Sequence, residues 1–302
     1  MDTVFTQLPE GLVLLDGSMG QELINRGASG QGVLWSAGAL FDHPEVVQAI
    51  HEDYIRAGAD IITTNSYACI RNNFEPLGLQ DQLGQMNHLA AELAHRARDT
   101  AGKAVLIAGS MGPQYGSYRP DLVRSYQETE ALYREQAGFL APFVDLFICE
   151  TLSCRLEARA AVNAALATGK PVWLSWSIDD SGAAALRSGE PLGDAWADIE
   201  DKGVDAVLLN CSPPEAIGKV LPELLSICDL PVGAYANAFT PIPHKWDFHG
   251  DDSIPPPRTD VTPEAYAKHA ACCVEMGARI IGGCCEVGPA HIAELHKALR
   301  PG

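Results

Sequence analysis

Short apolar runs and helix-spaced segments alternate eight times along the chain, and few folds accept that rhythm. The runs occupy 12–17, 60–67, 104–111, 144–151, 171–179, 205–212, 231–238 and 279–286. Most are continuous apolar stretches, the pattern of parallel strands buried on both faces. Between them, 82–100, 122–140, 155–168, 214–227 and 263–276 carry apolar residues at helical spacing. A glycine stands where a helix would end just before a strand in Ala57-Gly58-Ala59, Lys202-Gly203-Val204 and Met276-Gly277-Ala278. Eight strand–helix units with right-handed crossovers predict an α/β fold, a closed (β/α)8 TIM barrel forming one domain over 1–302. An open doubly wound sheet is the alternative.

A TIM barrel carries its active site at the C-terminal ends of its strands. Polar and reactive residues fall at those ends here: Asp16-Gly17, Thr63-Thr64-Asn65, Gly109-Ser110, Cys149-Glu150-Thr151, Asn210-Cys211, Ala236-Asn237 and Cys284-Cys285. Any strand must stop at some polar residue. A carboxylate after an apolar run at both the first and the fourth strand is harder to assign to turns alone.

Cys211 and the adjacent Cys284-Cys285 make a three-sulfur set at two strand ends. A zinc site with three protein ligands keeps its fourth position open, which is the catalytic arrangement. Neighbouring residues of a strand point to opposite faces. Both thiols can therefore reach one metal only if the backbone turns, and Gly282-Gly283 are expected to supply that freedom. The second vicinal pair, Cys272-Cys273, lies in a helical pattern and is expected only to pack, as are Cys69, Cys149, Cys154 and Cys228.

The chain has nine cysteines, and they are expected to be free thiols rather than a disulfide framework. Its N-terminus, Met1-Asp2-Thr3-Val4, lacks the basic and apolar regions of an export signal, so a cytoplasmic location is expected. A net charge of −18, from 21 Lys and Arg against 39 Asp and Glu, argues against nucleic acid or an anionic membrane as partner. The Pro-rich stretch 239–262 is expected to be a long loop over the C-terminal face, a lid or a simple insertion.

Five segments, in order, resemble the homocysteine S-methyltransferase family. They are Leu14-Leu15-Asp16-Gly17-Ser18-Met19-Gly20, Gly58-Ala59-Asp60-Ile61-Ile62-Thr63-Thr64-Asn65-Ser66-Tyr67, Cys149-Glu150-Thr151, Asn210-Cys211 and Gly282-Gly283-Cys284-Cys285. The resemblance covers roughly 12–299. It implies a zinc-dependent barrel that moves a methyl group to the thiol of L-homocysteine, giving methionine. Cys211, Cys284 and Cys285 would hold Zn2+, and the homocysteine sulfur would complete the set. Binding to zinc deprotonates a coordinating thiol. Asp16 and Glu150 would face the homocysteine ammonium, since a cation in a partly dry pocket needs opposite charge. Gly17 would let a backbone N–H meet the substrate carboxylate. Thr64 matches the family position whose hydroxyl helps hold that group. Asn237 would lie near the metal as an oxygen ligand before substrate arrives. The competing readings are an N-cap for Asp16, an ion pair with Arg155 for Glu150, and a turn residue for Asn237.

The donor is expected to be a small sulfonium, S-methylmethionine or S-adenosylmethionine, with betaine or dimethylsulfoniopropionate as alternatives. Trp35, Tyr115, Trp173 and Trp176 are candidates to face its cation. With Gly302 following the eighth helix, the chain is expected to lack the extension of animal betaine users and the further domains of cobalamin-dependent enzymes. A monomer or small homo-oligomer is expected. A non-catalytic zinc or thiol-binding protein would explain the cysteines but not Asp16, Thr64 and Glu150. A barrel lyase or aldolase would want a Schiff-base lysine at a strand end, and Lys103 and Lys170 precede their strands.

Overall fold

The computed structural model describes Leu8 and residues 11–28, 32–243, 245–246 and 254–300. The eight runs become eight parallel strands: β1 (Val13–Leu14), β2 (Ile61–Thr63), β3 (Leu106–Met111), β4 (Leu146–Leu152), β5 (Val172–Trp176), β6 (Ala206–Asn210), β7 (Val232–Tyr235) and β8 (Ile280–Ile281). Hydrogen-bonded neighbours run β1-β8-β7-β6-β5-β4-β3-β2. A parallel bridge between Leu15 and Ile61 joins the two ends. There the Asp60 N–H donates to the Leu14 carbonyl at 2.8 Å and the Asp16 N–H to the Ile61 carbonyl at 3.1 Å. The sheet closes on itself as a single-domain barrel, and the open-sheet alternative falls away.

Side chains alternate along each strand and so build two cores. Leu15, Ile61, Ile148, Trp173, Leu208 and Ile280 fill the barrel interior. Their neighbours Leu14, Ile62, Phe147, Leu174, Leu209 and Ile281 pack outward against the helices. Burial on both faces is why the strands read as unbroken apolar runs. Each such side chain contributes about 1.5–3 kcal/mol, so Leu208→Ala in the closed interior would cost about 2–5 kcal/mol.

The helices largely follow the sequence pattern, as Leu83–Ala101, Arg155–Leu166, Pro214–Ile227 and Pro263–Met276. One starts later than expected. Ser125 and Glu128 form a reciprocal capping box, so the helix runs Tyr126–Leu140 and Pro120–Leu122 is a separate 3-10 turn. Gly58 and Gly277, with φ of 112° and 126°, end their helices as expected. Gly203 does not, because the preceding helix Leu192–Ala197 has already ended at Asp198. No helix of the described residues is long and apolar enough to cross a membrane.

One device recurs at the rim where strands begin. Asp60, Asp145 and Asp205 stand immediately before β2, β4 and β6. Each donates its N–H at 2.8 Å to a carbonyl of the preceding strand, that of Leu14, Ile107 or Val172. Each carboxylate then accepts the N–H of that same residue, at 2.8, 2.8 and 3.0 Å. The carboxylate serves as the acceptor that the neighbouring strand, only just beginning, does not supply from its backbone.

Candidate metal and substrate site

The opposite rim opens into a cavity of about 1230 Å³, its mouth included. Asp16, Gly17, Thr64, Glu150, Cys211, Cys284 and Cys285 all line it. Five barrel strands and the turns after them thus bring these residues together. Asn237 is not in the wall. It is buried just after β7, and neither polar atom of its side chain has a partner among the described residues.

The thiol set depends on unusual backbone. Cys211 directly follows β6 with φ of 49°, a left-handed conformation uncommon for a residue with a Cβ. Asn210 braces the turn. Its side-chain oxygen accepts from the Thr151 N–H at 3.0 Å and the Ser175 hydroxyl at 2.8 Å, and its NH2 donates to the Thr151 hydroxyl at 2.8 Å. Cys284 and Cys285 lie in a turn past β8, laced to the end of β7. The Cys284 N–H donates to the Ala236 carbonyl and the Ala238 N–H to the Cys285 carbonyl, both at 2.9 Å.

The glycines act differently from expectation. Neither Gly282 nor Gly283 has a left-handed φ; Glu286, at 65°, takes the turn instead. What the glycines allow is close approach. A Cβ at Gly282 would lie 2.6 Å from the Leu15 Cβ, and one at Gly283 would lie 2.1 Å from Val287 Cγ1.

The three sulfurs lie within 4.8 Å of one another and could hold a metal ion. Cys211 Sγ is 3.7 Å from Cys285 Sγ, and Cys284 Sγ is 4.0 Å from Cys285 Sγ. Cys211 and Cys284 form a disulfide, with Cα atoms 5.5 Å apart. This departs from the expectation of free thiols throughout. Sulfurs that converge closely enough to share one metal are also close enough to join, so the disulfide and the metal-holding set are alternatives of one arrangement. Reduced, the set offers three soft donors at one point, a good match for zinc. Burial, with the nearby Glu286 and Glu150 carboxylates, pushes the Cys285 thiol up to about 12. A bound dication reverses that balance. The unpartnered amide of Asn237 sits beside the same turn and fits a site that gains a ligand.

The two acids are partly braced and partly free. Asp16 accepts the Thr63 N–H at 2.7 Å and the Thr63 hydroxyl at 3.1 Å. Burial nevertheless raises its pKa to about 8, with Thr63 lowering it and Glu150 adding to the rise. Glu150 accepts the Ser110 hydroxyl, and the Tyr235 hydroxyl at 3.2 Å. Burial raises its pKa as well. The described wall contains no Arg, Lys or His. A buried and a half-buried carboxylate facing such a cavity call for a cationic guest. The competing roles belong to other residues: Ser18 caps the helix Met19–Asn25, and Arg155 pairs with Asp198 at 2.9 Å. Gly17 is required by packing, since a Cβ there would lie 2.1 Å from the Val287 carbonyl oxygen. The Thr64 hydroxyl lies 2.7 Å from that of Ser66 and accepts the Ser110 N–H at 3.2 Å.

Of the four aromatic candidates, only Trp35 reaches the wall. Trp173 fills the barrel interior and Trp176 packs among the helices, because both faces of β5 are covered. Tyr115 lies outside the wall, with the Arg124 guanidinium over its ring at 5.5 Å. The rings that do line the cavity besides Trp35 are Tyr67, Tyr118, Tyr235, Phe239 and Trp246. Phe239, Trp246 and Ile254 come from the Pro-rich stretch, so its described part covers the cavity as a lid would. Residues 244 and 247–253 of that stretch lie outside the described residues. Sequence reading placed Thr63 and Ser110 at strand ends without giving them a role, and passed over Tyr235, although Tyr235 has the inward parity of its strand and directly precedes Ala236-Asn237.

The family model for homocysteine S-methyltransferase matches residues 13–299. The chain belongs to the homocysteine S-methyltransferase family. It is 34% identical to the homocysteine S-methyltransferase of Escherichia coli (strain K12), over 95% of this chain and 94% of that one. It is 30% identical to homocysteine S-methyltransferase YbgG of Bacillus subtilis (strain 168), over 96% of this chain and 95% of that one. Its fold matches the metallated form of the homocysteine methyltransferase MmuM from Escherichia coli with a TM-score of 0.80 at 31% identity, covering 95% and 96% of the two chains. An oxidized form of MmuM matches with a TM-score of 0.80 as well.

Proposed function

We propose that this chain is a zinc-dependent methyltransferase that moves a methyl group from a small sulfonium donor to the thiol of L-homocysteine, giving methionine. The observation that carries the reading is the meeting, in one cavity, of three convergent sulfurs and two inward-facing carboxylates. A thiol-binding store would explain the sulfurs alone. The metallated relative supports the metal, and the names of the relatives support the acceptor.

Cys211, Cys284 and Cys285 would hold the zinc, which when bound supplies the Lewis acidity that lets a substrate thiol lose its proton at neutral pH. Asp16 and Glu150 take the substrate ammonium, each already oriented by a neighbouring strand through Thr63, or through Ser110 and Tyr235. The Gly17 N–H and the Thr64 hydroxyl meet the substrate carboxylate. Asn237 stands ready beside the thiol set. Trp35, Tyr67, Phe239 and Trp246 wall the cavity and exclude water. Those rings, with no fixed cation among the described lining residues, favour a positively charged donor: π faces attract a sulfonium, and the developing neutral leaving group needs no acid. A quaternary donor such as betaine meets the same rings but carries no net charge, whereas S-methylmethionine and S-adenosylmethionine are net cations and suit a wall with carboxylates and no described cation.

The homocysteine-binding unit is the whole barrel, 1–302, and every proposed contact comes from one chain. It therefore works as a monomer or within a small homo-oligomer. A reducing cytoplasm would keep the thiol set open. The deciding test incubates reduced, zinc-loaded protein with homocysteine and, separately, S-methylmethionine, S-adenosylmethionine, betaine or dimethylsulfoniopropionate. Methionine is read by mass spectrometry. Methionine from a sulfonium arm is expected; none from any arm overturns the reading.

A further inference from the structure

Tyr118 has no part in the substrate contacts just described, yet it is built into the thiol set. Its hydroxyl lies 2.8 Å from the sulfur of Cys211. Both residues of this contact hold left-handed backbone, with φ of 64° at Tyr118 and 49° at Cys211. Such conformations persist for residues with side chains only where the surroundings impose them. Arg187 packs against this contact. Its guanidinium carbon sits 4.5 Å from the centre of the Tyr118 ring. The guanidinium is itself fixed, donating to the Ser177 hydroxyl at 2.7 Å and to Asp180 at 2.5 Å. Ser177 in turn donates to the Cys211 carbonyl at 3.4 Å. One arginine thus braces Cys211 from two sides, through the ring that meets its sulfur and through the serine that meets its peptide. Arg187 does not line the cavity, so a contact with substrate does not explain its placement.

We propose that Tyr118, seated by Arg187, is a positioning residue that donates a hydrogen bond to the Cys211 sulfur and thereby sets how much charge that ligand gives a bound metal. This rests on the metal reading above. A sulfur that accepts an O–H hydrogen bond keeps more of its charge, and its lone pair lies lower in energy. A cation under the phenol ring makes the hydroxyl a better donor. Partners of metal ligands typically alter affinity about 10- to 100-fold when removed.

The experiment loads the reduced full chain with cobalt(II) in place of zinc, and reads affinity by competition with a chromophoric chelator and the sulfur-to-metal charge-transfer band by absorbance. Tyr118→Phe is expected to bind about 10- to 100-fold more weakly, with its band moved to longer wavelength. Arg187→Gln should shift both in the same direction by less. Tyr115→Phe should change neither. A role confined to packing would not move the band. Should Tyr118→Phe fail to fold, Arg187→Gln carries the test alone. Unchanged affinity and band in folded Tyr118→Phe, or in Arg187→Gln when it stands alone, overturns the inference. A wild-type chain that takes up no metal after reduction overturns the metal reading itself, which separates the two failures.

Discussion

At the rim where the strands begin, Asp60, Asp145 and Asp205 each accept a backbone N–H from the strand before them. At the rim where the strands end, Asp16 and Glu150 are also braced, yet they face a cavity and their pKa values are raised. The same chemical group is thus used in two ways. The first set closes a hydrogen-bond pattern that the sheet leaves open. The second is held in place with capacity left over, and carboxylates withdrawn from water in that condition await a partner of opposite charge. Burial alone does not separate the two sets: Asp60 is 9% exposed and Asp16 is 5% exposed. The partner does: the Asp60 carboxylate pairs with the Arg300 guanidinium, whereas Asp16 faces a cavity whose described wall holds no cation.

The contrast is open to attack, and the largest effect is expected at the thiols. The triple variant Cys211→Ala, Cys284→Ala, Cys285→Ala should lose both metal and methyl transfer to the detection limit. Cys272→Ala, on an exposed helix position, should keep both. Metal content by plasma emission and methionine formation check this, and full zinc occupancy in the triple variant would refute the ligand set.

Next comes Glu150→Gln, which keeps shape and removes charge. A hydrogen bond to a charged group contributes about 1.5–3 kcal/mol, so homocysteine should bind about 10- to 100-fold more weakly by calorimetry, with zinc retained. Wild-type affinity would place Glu150 with the structural acids.

The opposite rim should give the mirror result. Asp60→Ala leaves the Leu14 N–H without its acceptor and the Arg300 guanidinium without its carboxylate, and should destabilise the fold by at least about 1–3 kcal/mol, measured by urea unfolding. Zinc stoichiometry and homocysteine affinity should not move. A selective loss of homocysteine affinity in this variant would break the division between the rims.

The smallest effect concerns pH. The folded-state pKa of Asp16, about 8, lies above its ordinary value of 3.8. The folded protein therefore holds this proton more tightly than the unfolded chain. Its contribution favours folding fully below about pH 4 and is lost as pH rises through about 8. Asp16→Asn stays neutral, so without ligand its melting temperature should fall less steeply between pH 5 and 8, by about a few degrees. Parallel melting curves for the two proteins would show that Asp16 is as settled as the acids of the other rim.

Much of this division was legible in the sequence. The strand count followed from the rhythm of apolar runs, and the thiols and acids from their places at strand ends. What was not legible depends on neighbouring strands. Thr63, Ser110 and Tyr235 matter because register sets them beside Asp16 and Glu150, and no local pattern states that register. Trp173 and Trp176 misled because a strand covered on both faces buries rings on either side. A glycine letter does not say whether the chain needs a turn or a close neighbour. At Gly282 and Gly283 the need is closeness, to Leu15 and Val287. The contact between Tyr118 and Cys211 could not be read from sequence because it joins distant segments and is braced by an arginine from a third.

Six described residues with a Cβ adopt a left-handed φ: Trp35, Tyr118, Thr151, Cys211, Lys245 and Glu286. Four of them line the cavity, and the other two adjoin Trp246 and Cys285, which do. Conformations of this kind cost about 1–3 kcal/mol each, so the chain keeps its backbone strain where it keeps its chemistry. A laboratory search for heat-resistant variants, run without an activity screen, would gather glycine and asparagine at these positions. Every degree gained there would be taken from the site, and a stabilised version for practical use is better sought at the other end of the barrel.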